Sequence, residues 1–296
     1  MLRKLTILAV LAALGLSAAP SQAFFENTVM DGRARGMGES AVAVPGGSYS
    51  AFYNPGLLAG RTASTVGASY VRPFRLDFTD FFAVGAALPL GGRYGSVGFG
   101  LSQFKVNHLD TDLLKETHVA FSHGISLFED YHSRIDMGYS LNVYQVEQGE
   151  TVSGIDPGSD TVLGVDFGMA VTLHKRTVLG FLVKNLNNPM IGVDEEELHR
   201  RLVAGVSYAP YDGVVTTFEF DNELGEDVQY HGGVEMTIIE GFTLRGGVIT
   251  GPNKLTAGFG YELQGFSLDY GFATGGGTLD STHQFGLNFA WGGEAP

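Results

Sequence analysis

Five carboxylates, Asp136, Asp166, Glu235, Glu262 and Asp269, stand in runs where apolar and small residues alternate, each on the side opposite the apolar residues. Two arginines near the start, Arg33 and Arg35, are their natural counterions. An ionised carboxylate in a confined space needs either a cation or water. The acids can therefore pair with the arginines or line a wet passage, and their types and spacing allow both. Other chemistry is thin. The eight His form no His-Glu-x-x-His and no zinc spacing, and there is no Cys. His108, His118, His123 and His132 gather in one stretch, yet no Ser/His/acid set accompanies them. No Gly-x-Ser-x-Gly elbow and no phosphate loop occurs. The glycines at 95–100 and 275–277 lack a following helix and read as strand and turn glycines. Asp194-Glu195-Glu196-Glu197 has the charge to meet calcium but reads as a solvated loop face. No catalytic residue, metal site or cofactor is expected.

The elements that must position those acids are strands. Leu163, Val165, Phe167, Met169, Val171 and Leu173 alternate with Gly164, Asp166, Gly168, Ala170 and Thr172. Ile135 to Val143, Leu255 to Leu263 and Phe266 to Phe272 alternate in the same way. A period of two means one apolar and one polar face. Fourteen such segments centre near Gly67, Val84, Phe99, Val119, Tyr139, Phe167, Phe181, Gly205, Phe218, Gly233, Gly246, Gly258, Asp269 and Gly286. Each has room for about 9–11 residues, enough for a tilted strand to cross a bilayer. The segment around Phe81 and Phe82 alternates least clearly.

Connections between the segments take turns in length. Leu90 to Gly92, His174 to Arg176, Tyr211 to Gly213, Glu240-Gly241 and Gln264-Gly265 are tight. Asn107 to Asp112, Gln148 to Asp160, Asn187 to Glu197, Asn222 to Asp227 and Thr274 to Asp280 are longer and more polar, with Thr250 to Asn253 a short exception. Short turns on one rim and long loops on the other mark an outer-membrane barrel. The polar faces hold Gly, Ser, Thr and Ala instead of Lys and Glu. That suits a crowded barrel interior better than the wet face of a secreted β-sandwich, which is the rival fold.

Composition agrees. The chain has 296 residues, 43 Gly, 21 Phe and 12 Tyr, with 17% charged residues. Arg3 and Lys4, the apolar stretch Leu5 to Leu16 and Ser21-Gln22-Ala23 read as a cleaved signal peptide over 1–23. Its removal takes two cations and no acid, moving the formal charge from −14 to −16. Such acidity argues against a nucleic-acid partner. No later stretch is long and apolar enough for a spanning helix. Residues 284–291 read Gln-Phe-Gly-Leu-Asn-Phe-Ala-Trp. Gln284, Gly286, Phe289 and Trp291 fit the terminal-strand signal read by the barrel-assembly machinery, with Phe285, Leu287, Phe289 and Trp291 toward lipid. Gly292 to Pro296 follow the aromatic residue instead of ending on it.

The opening of the mature chain carries a family resemblance. Arg33-Ala34-Arg35-Gly36-Met37-Gly38, the small and apolar run Ser40 to Val44, and Tyr53-Asn54-Pro55-Gly56-Leu57 resemble the PorV/PorQ-type proteins of the FadL-like, long-chain fatty-acid transporter superfamily. That family often has Ala where Gly56 stands. Asp269-Tyr270-Gly271-Phe272 and Thr282 to Leu287 resemble the family's end. The resemblance covers both ends and reaches the middle only by pattern. It implies an all-β, 14-stranded antiparallel transmembrane outer-membrane barrel over 61–296, with residues 24–60 as a hatch plugging the lumen. It also implies a gate at Arg33, Arg35, Gly36, Gly38, Tyr53, Asn54 and Pro55. Physics agrees that an unplugged ring of this size leaves a hole, and Asn54-Pro55 is a natural stop before the first strand. The implied function is passage of small hydrophobic, fatty-acid-like molecules across the outer membrane. A non-enzymatic part in type IX protein secretion is the alternative. Outer-membrane lipid and either a hydrophobic small molecule or a secretion complex are the implied partners.

Overall fold

The computed structural model describes residues 24–26, 29–109, 111–150, 157–276 and 279–293. The expected signal peptide, 1–23, lies outside them. Sixteen strands follow in chain order. They are β1 (Ser64–Arg72), β2 (Thr79–Pro89), β3 (Ser96–His108), β4 (Thr111–Glu129), β5 (Ser133–Gln148), β6 (Ser159–Leu173) and β7 (Thr177–Lys184). A small loop hairpin, β8 (Met190–Ile191) and β9 (Glu196–Glu197), comes next. Then come β10 (Arg201–Tyr208), β11 (Val214–Glu223), β12 (Gln229–Ile239), β13 (Phe242–Ile249), β14 (Lys254–Leu263), β15 (Phe266–Ala273) and β16 (Thr282–Trp291).

All but β8 and β9 form one closed antiparallel ring, each strand beside its chain neighbour. β1 closes on β16, with Ser64 opposite Trp291, Tyr70 opposite Phe285 and Arg72 opposite His283. The fourteen expected segment centres each fall in a ring strand. Closure leaves no edge, so the ladder satisfies its own backbone groups, the condition for crossing hydrocarbon. A two-sheet sandwich is ruled out by the same closure. Alternation sends Thr65, Gly67, Ser69 and Val71 of β1 inward and Val66, Ala68 and Tyr70 outward. Leu141, Leu163, Phe218, Leu255, Phe285 and Leu287 are likewise exposed on the outer face. At the tight-turn rim, Tyr94, Tyr131, Tyr211 and Trp291 are exposed, the pattern of an interfacial aromatic girdle. Among the described residues no helix is long and apolar enough to cross a membrane; the strands form the apolar-coated wall.

One expected loop is a correction. Asn107 to Asp112 was expected as a long connection, but β3 runs to His108 and β4 begins at Thr111. The 19 residues of β4 span roughly 60 Å at strand rise, far more than an apolar band of about 25 Å. The polar residues here belong to a hairpin raised beyond the band, where no lipid contact demands apolar side chains.

Residues 29–60 lie inside the ring. They hold two short helices, Gly32–Gly36 and Ser50–Tyr53, and a 3₁₀ turn, Pro55–Leu58. Wall glycines mark where this inner segment presses on the strands. A Cβ at Gly138 or Gly168 would run into Pro55, one at Gly180 into Val42, and one at Gly100 into the Phe52 ring. The segment leaves at the tight-turn rim, where Arg61 donates to the carbonyl of Gly47 at 3.1 Å and to Thr65 Oγ1 at 2.8 Å.

Candidate functional site: the inner segment and the chamber above it

The first helix is fixed at its start. Asp31 accepts the Ala34 N–H at 3.0 Å as N-cap. The Tyr53 hydroxyl donates to the same carboxylate at 3.0 Å and accepts the Met30 N–H at 2.7 Å. One phenol thus ties the two halves of the inner segment together. Burial and the neighbouring Asp269 push the Asp31 carboxyl above its ordinary value, against the pull of these hydrogen bonds.

Of the two expected arginines, Arg33 meets a lumen acid and Arg35 does not. Arg33 forms a two-pronged pair with Glu235, at 2.9 and 2.8 Å. Glu235 also accepts from Arg245 at 2.7 Å, and Arg245 reaches Asp269 at 2.7 Å. Asn288 completes the chain on Asp269 at 3.0 Å. Charges alternate along this line, Arg33, Glu235, Arg245, Asp269, so no member is left uncompensated. Arg35 instead bonds Gln284 Oε1 at 3.2 Å and pairs with Glu39 inside its own segment. Burial would raise the Glu39 carboxyl, but Arg35, Lys254 and His231 overcome it and hold it below the usual range.

The other expected acids scatter. Asp136 pairs with Arg134 of its own strand at 2.7 Å. Asp166 accepts the Asn185 N–H at 2.9 Å. Glu262 has lumen parity but sits at the tight-turn end of β14, exposed. It is not a partner for the arginines, because parity fixes a face and leaves depth free.

Asn54 is fully buried. Its Nδ2 donates to Val42 O at 2.8 Å and to Met169 O of β6 at 3.1 Å, and its Oδ1 accepts the Gly56 N–H at 2.9 Å. It therefore caps the 3₁₀ turn and pins it to the wall. Pro55 begins that turn. Gly56 is needed there, since a Cβ would lie 2.9 Å from the Met169 backbone. Gly36 packs against Gly258, where a Cβ would lie 3.1 Å from its Cα. Gly38, at φ +69°, donates to Thr256 Oγ1 at 2.9 Å. Gln284 is buried and turned inward, where it also donates to Val29 O at 3.3 Å. Gly286 faces inward beside it. The Phe289 and Trp291 rings stack at 5.6 Å.

Several anchors were not among the expected residues. Glu219 of β11 accepts the N–H groups of Ala41 and Val42 at 2.8 and 2.9 Å. Ser207 donates to Ala43 O at 2.7 Å, Ser140 to Ala51 O at 3.2 Å, and His231 Nδ1 to Gly38 O at 2.8 Å. All lie on inward parity, the one signal the sequence offered for them.

Between this floor and the long-loop rim lies a chamber of about 800 Å³, within the usual range for small-molecule sites, about 300–1,000 Å³. One side is apolar, with Phe52, Tyr53, Pro73, Phe74, Leu76 and Phe104. The other is charged, from β11, β12 and the loop between them. A smaller pocket beside it, about 70 Å³, is bordered by Phe24 and Phe25. There the Phe25 N–H meets Glu116 at 3.0 Å and its ring meets Tyr144 edge-on at 4.9 Å. Among the described residues no cluster of His or acids has metal-holding geometry.

No protein-family model and no curated protein matches the chain. Solved structures do. The Ralstonia pickettii toluene transporter TbuX is similar at TM-score 0.60 and 14% identity, over 90% of this chain and 98% of that one. The Pseudomonas putida toluene transporter TodX is similar at 0.57 and 12%, over 89% and 99%. A Pseudomonas aeruginosa FadL homologue is similar at 0.54 and 11%, over 89% and 98%. At these identities the likeness is one of fold: the chain has the closed 14-strand barrel of FadL-like outer-membrane proteins.

Proposed function

We propose that the protein is an outer-membrane channel for small, largely apolar molecules, with residues 29–60 as its hatch. The observation that carries this reading is the chamber of about 800 Å³, open toward the long loops, floored by the inner segment and walled on one side by aromatic and aliphatic residues. A molecule entering from the loop side meets that apolar wall first and the hatch next. Apolar packing of Tyr49, Phe52 and Leu57 on the wall and polar contacts, a net of about 0.5–1.5 kcal/mol for an ordinary hydrogen bond, hold the hatch. The wall closes through its own ladder, so this floor can shift without the wall unfolding. The toluene transporters and the FadL homologue share this fold, which supports the reading.

The test is passage of benzyl alcohol into proteoliposomes whose outer leaflet contains lipopolysaccharide, with an enclosed reporter enzyme. Protein-dependent, saturable entry is expected. Entry equal to that of empty vesicles would overturn the reading. The PorV/PorQ-like alternative predicts a different outcome, copurification of a large secretion assembly with the intact protein.

A further inference from the structure

We propose that the chamber selects molecules that join an apolar body to a positively charged nitrogen and discriminates against carboxylates, fatty acids included. This deepens the channel reading and rests on it for the chamber's role.

The two sides of the chamber face each other by construction. In the fourteen-strand ring β2 lies opposite β11 and β3 opposite β12, seven strands apart in each case. Phe104 of β3 and Phe74 and Leu76 of the β1–β2 loop therefore look across at β11, β12 and their connecting loop.

Charge on the lining is unbalanced. Arg35 and Arg201 are matched by Glu39 and Asp221. That leaves two cations, Lys184 and Lys254, against six acids, Glu26, Glu116, Glu219, Glu223, Glu226 and Asp227. Glu116 and Glu219 are occupied with N–H groups of the inner segment. Glu26, Glu223, Glu226 and Asp227 have no side-chain hydrogen bond or ion pair among the described residues. They crowd one another: burial, followed by the carboxylates of Glu223, Glu196 and Glu226, pushes the Glu26 carboxyl above its ordinary value. Processing at Ala23 would add one ammonium near Glu116 and leave the balance negative.

One further observation points to a cationic guest. The chamber already seats one ammonium: Lys254 Nζ stands 6.0 Å from the centre of the Phe74 ring, at the edge of cation–π range. The same Lys254 favours the ionised form of Glu39. Aromatic face and carboxylates together make a receptor for an organic cation. A carboxylate would meet the unpaired acids at the mouth before reaching Lys184 or Lys254.

The experiment uses the intact protein in detergent and three probes of similar bulk: phenyltrimethylammonium, benzyl alcohol and phenylacetate. Equilibrium dialysis at low salt should show the cation bound roughly tenfold more tightly than the anion, a preference reduced severalfold by high salt. The triple variant Glu223→Gln, Glu226→Gln, Asp227→Asn should lose most of that preference while keeping its heat-modifiable band. Equal or tighter binding of phenylacetate, or a cation preference unchanged in the triple variant, would overturn the proposal. Binding is read apart from passage. Failure of benzyl alcohol to enter vesicles would count against the channel, and loss of charge preference with entry intact would count only against this inference.

Discussion

Glu219 shows how much of the inner segment hangs on single side chains. One carboxylate oxygen accepts two backbone N–H groups, those of Ala41 and Val42. Replacing Glu219 with Ala leaves both donors buried without a partner, at about 1–3 kcal/mol for each unsatisfied group. We expect faster hydrogen exchange at 41–42 and earlier proteolysis within 29–60, with the barrel band unchanged. Unaltered exchange would contradict the anchoring role. The Arg33–Glu235–Arg245–Asp269 chain is tested by a double-mutant cycle. Because Glu235 answers two arginines, Glu235→Gln should destabilise more than Arg33→Gln, and the Arg33–Glu235 coupling measured by denaturant should be of order 1–3 kcal/mol. The sequence allowed a link between Arg33 and the lumen acids and equally allowed a wet passage; the pair with Glu235 is what the fold contains. Arg245's part in it was not legible, because nothing in a strand's alternation says which inward residues share a height. The same limit holds for Glu262, whose parity is inward and whose height is the open rim.

At the scale of elements, the turn at Tyr53-Asn54-Pro55 joins the rest of the inner segment to the wall. Asn54→Ala removes bonds to Val42 and Met169 together with the cap on Gly56. That should loosen the inner segment and raise leakage of small solutes through reconstituted protein, without preventing assembly. Unchanged permeability would count against a gating role. Gly168→Leu is the complementary change from the wall side. A side chain there collides with Asn54 and Pro55, so it should expose 29–60 to protease while leaving strand content as measured by circular dichroism. The strands were readable because a bilayer on one face and a packed lumen on the other impose a period of two on nearly every one. That pressure ends where the wall leaves the bilayer. Asn107 and Asp112 therefore looked like a loop, although they continue the β3–β4 hairpin. The wall glycines had a second meaning beyond crowding. Gly100, Gly138, Gly168 and Gly180 trace the footprint of the inner segment, and that pattern becomes visible only once the partner is in place.

For the whole molecule, the central claim is a lipid-facing closed ring with the N-terminal segment held inside it. Closure without an edge and an exposed apolar outer face follow from one register between β1 and β16, and the contacts of Glu219, Glu235 and Asn54 place residues 29–60 against the inner wall. Because the chain has no Cys, engineered thiols report without background. Ser122 of β4 points inward, with Oγ 3.5 Å from the carbonyl of Ala51, while its neighbour Phe121 is exposed on the outer face. The most direct measurement is oxidative crosslinking in native membranes of two double variants, Ala51→Cys with Ser122→Cys and Ala51→Cys with Phe121→Cys. A disulfide is expected in the first pair and none in the second, where the thiol at 121 reacts instead with a lipid-soluble maleimide. Crosslinking in neither pair, with the thiols at 51 and 121 both open to a water-soluble maleimide, would contradict the central claim.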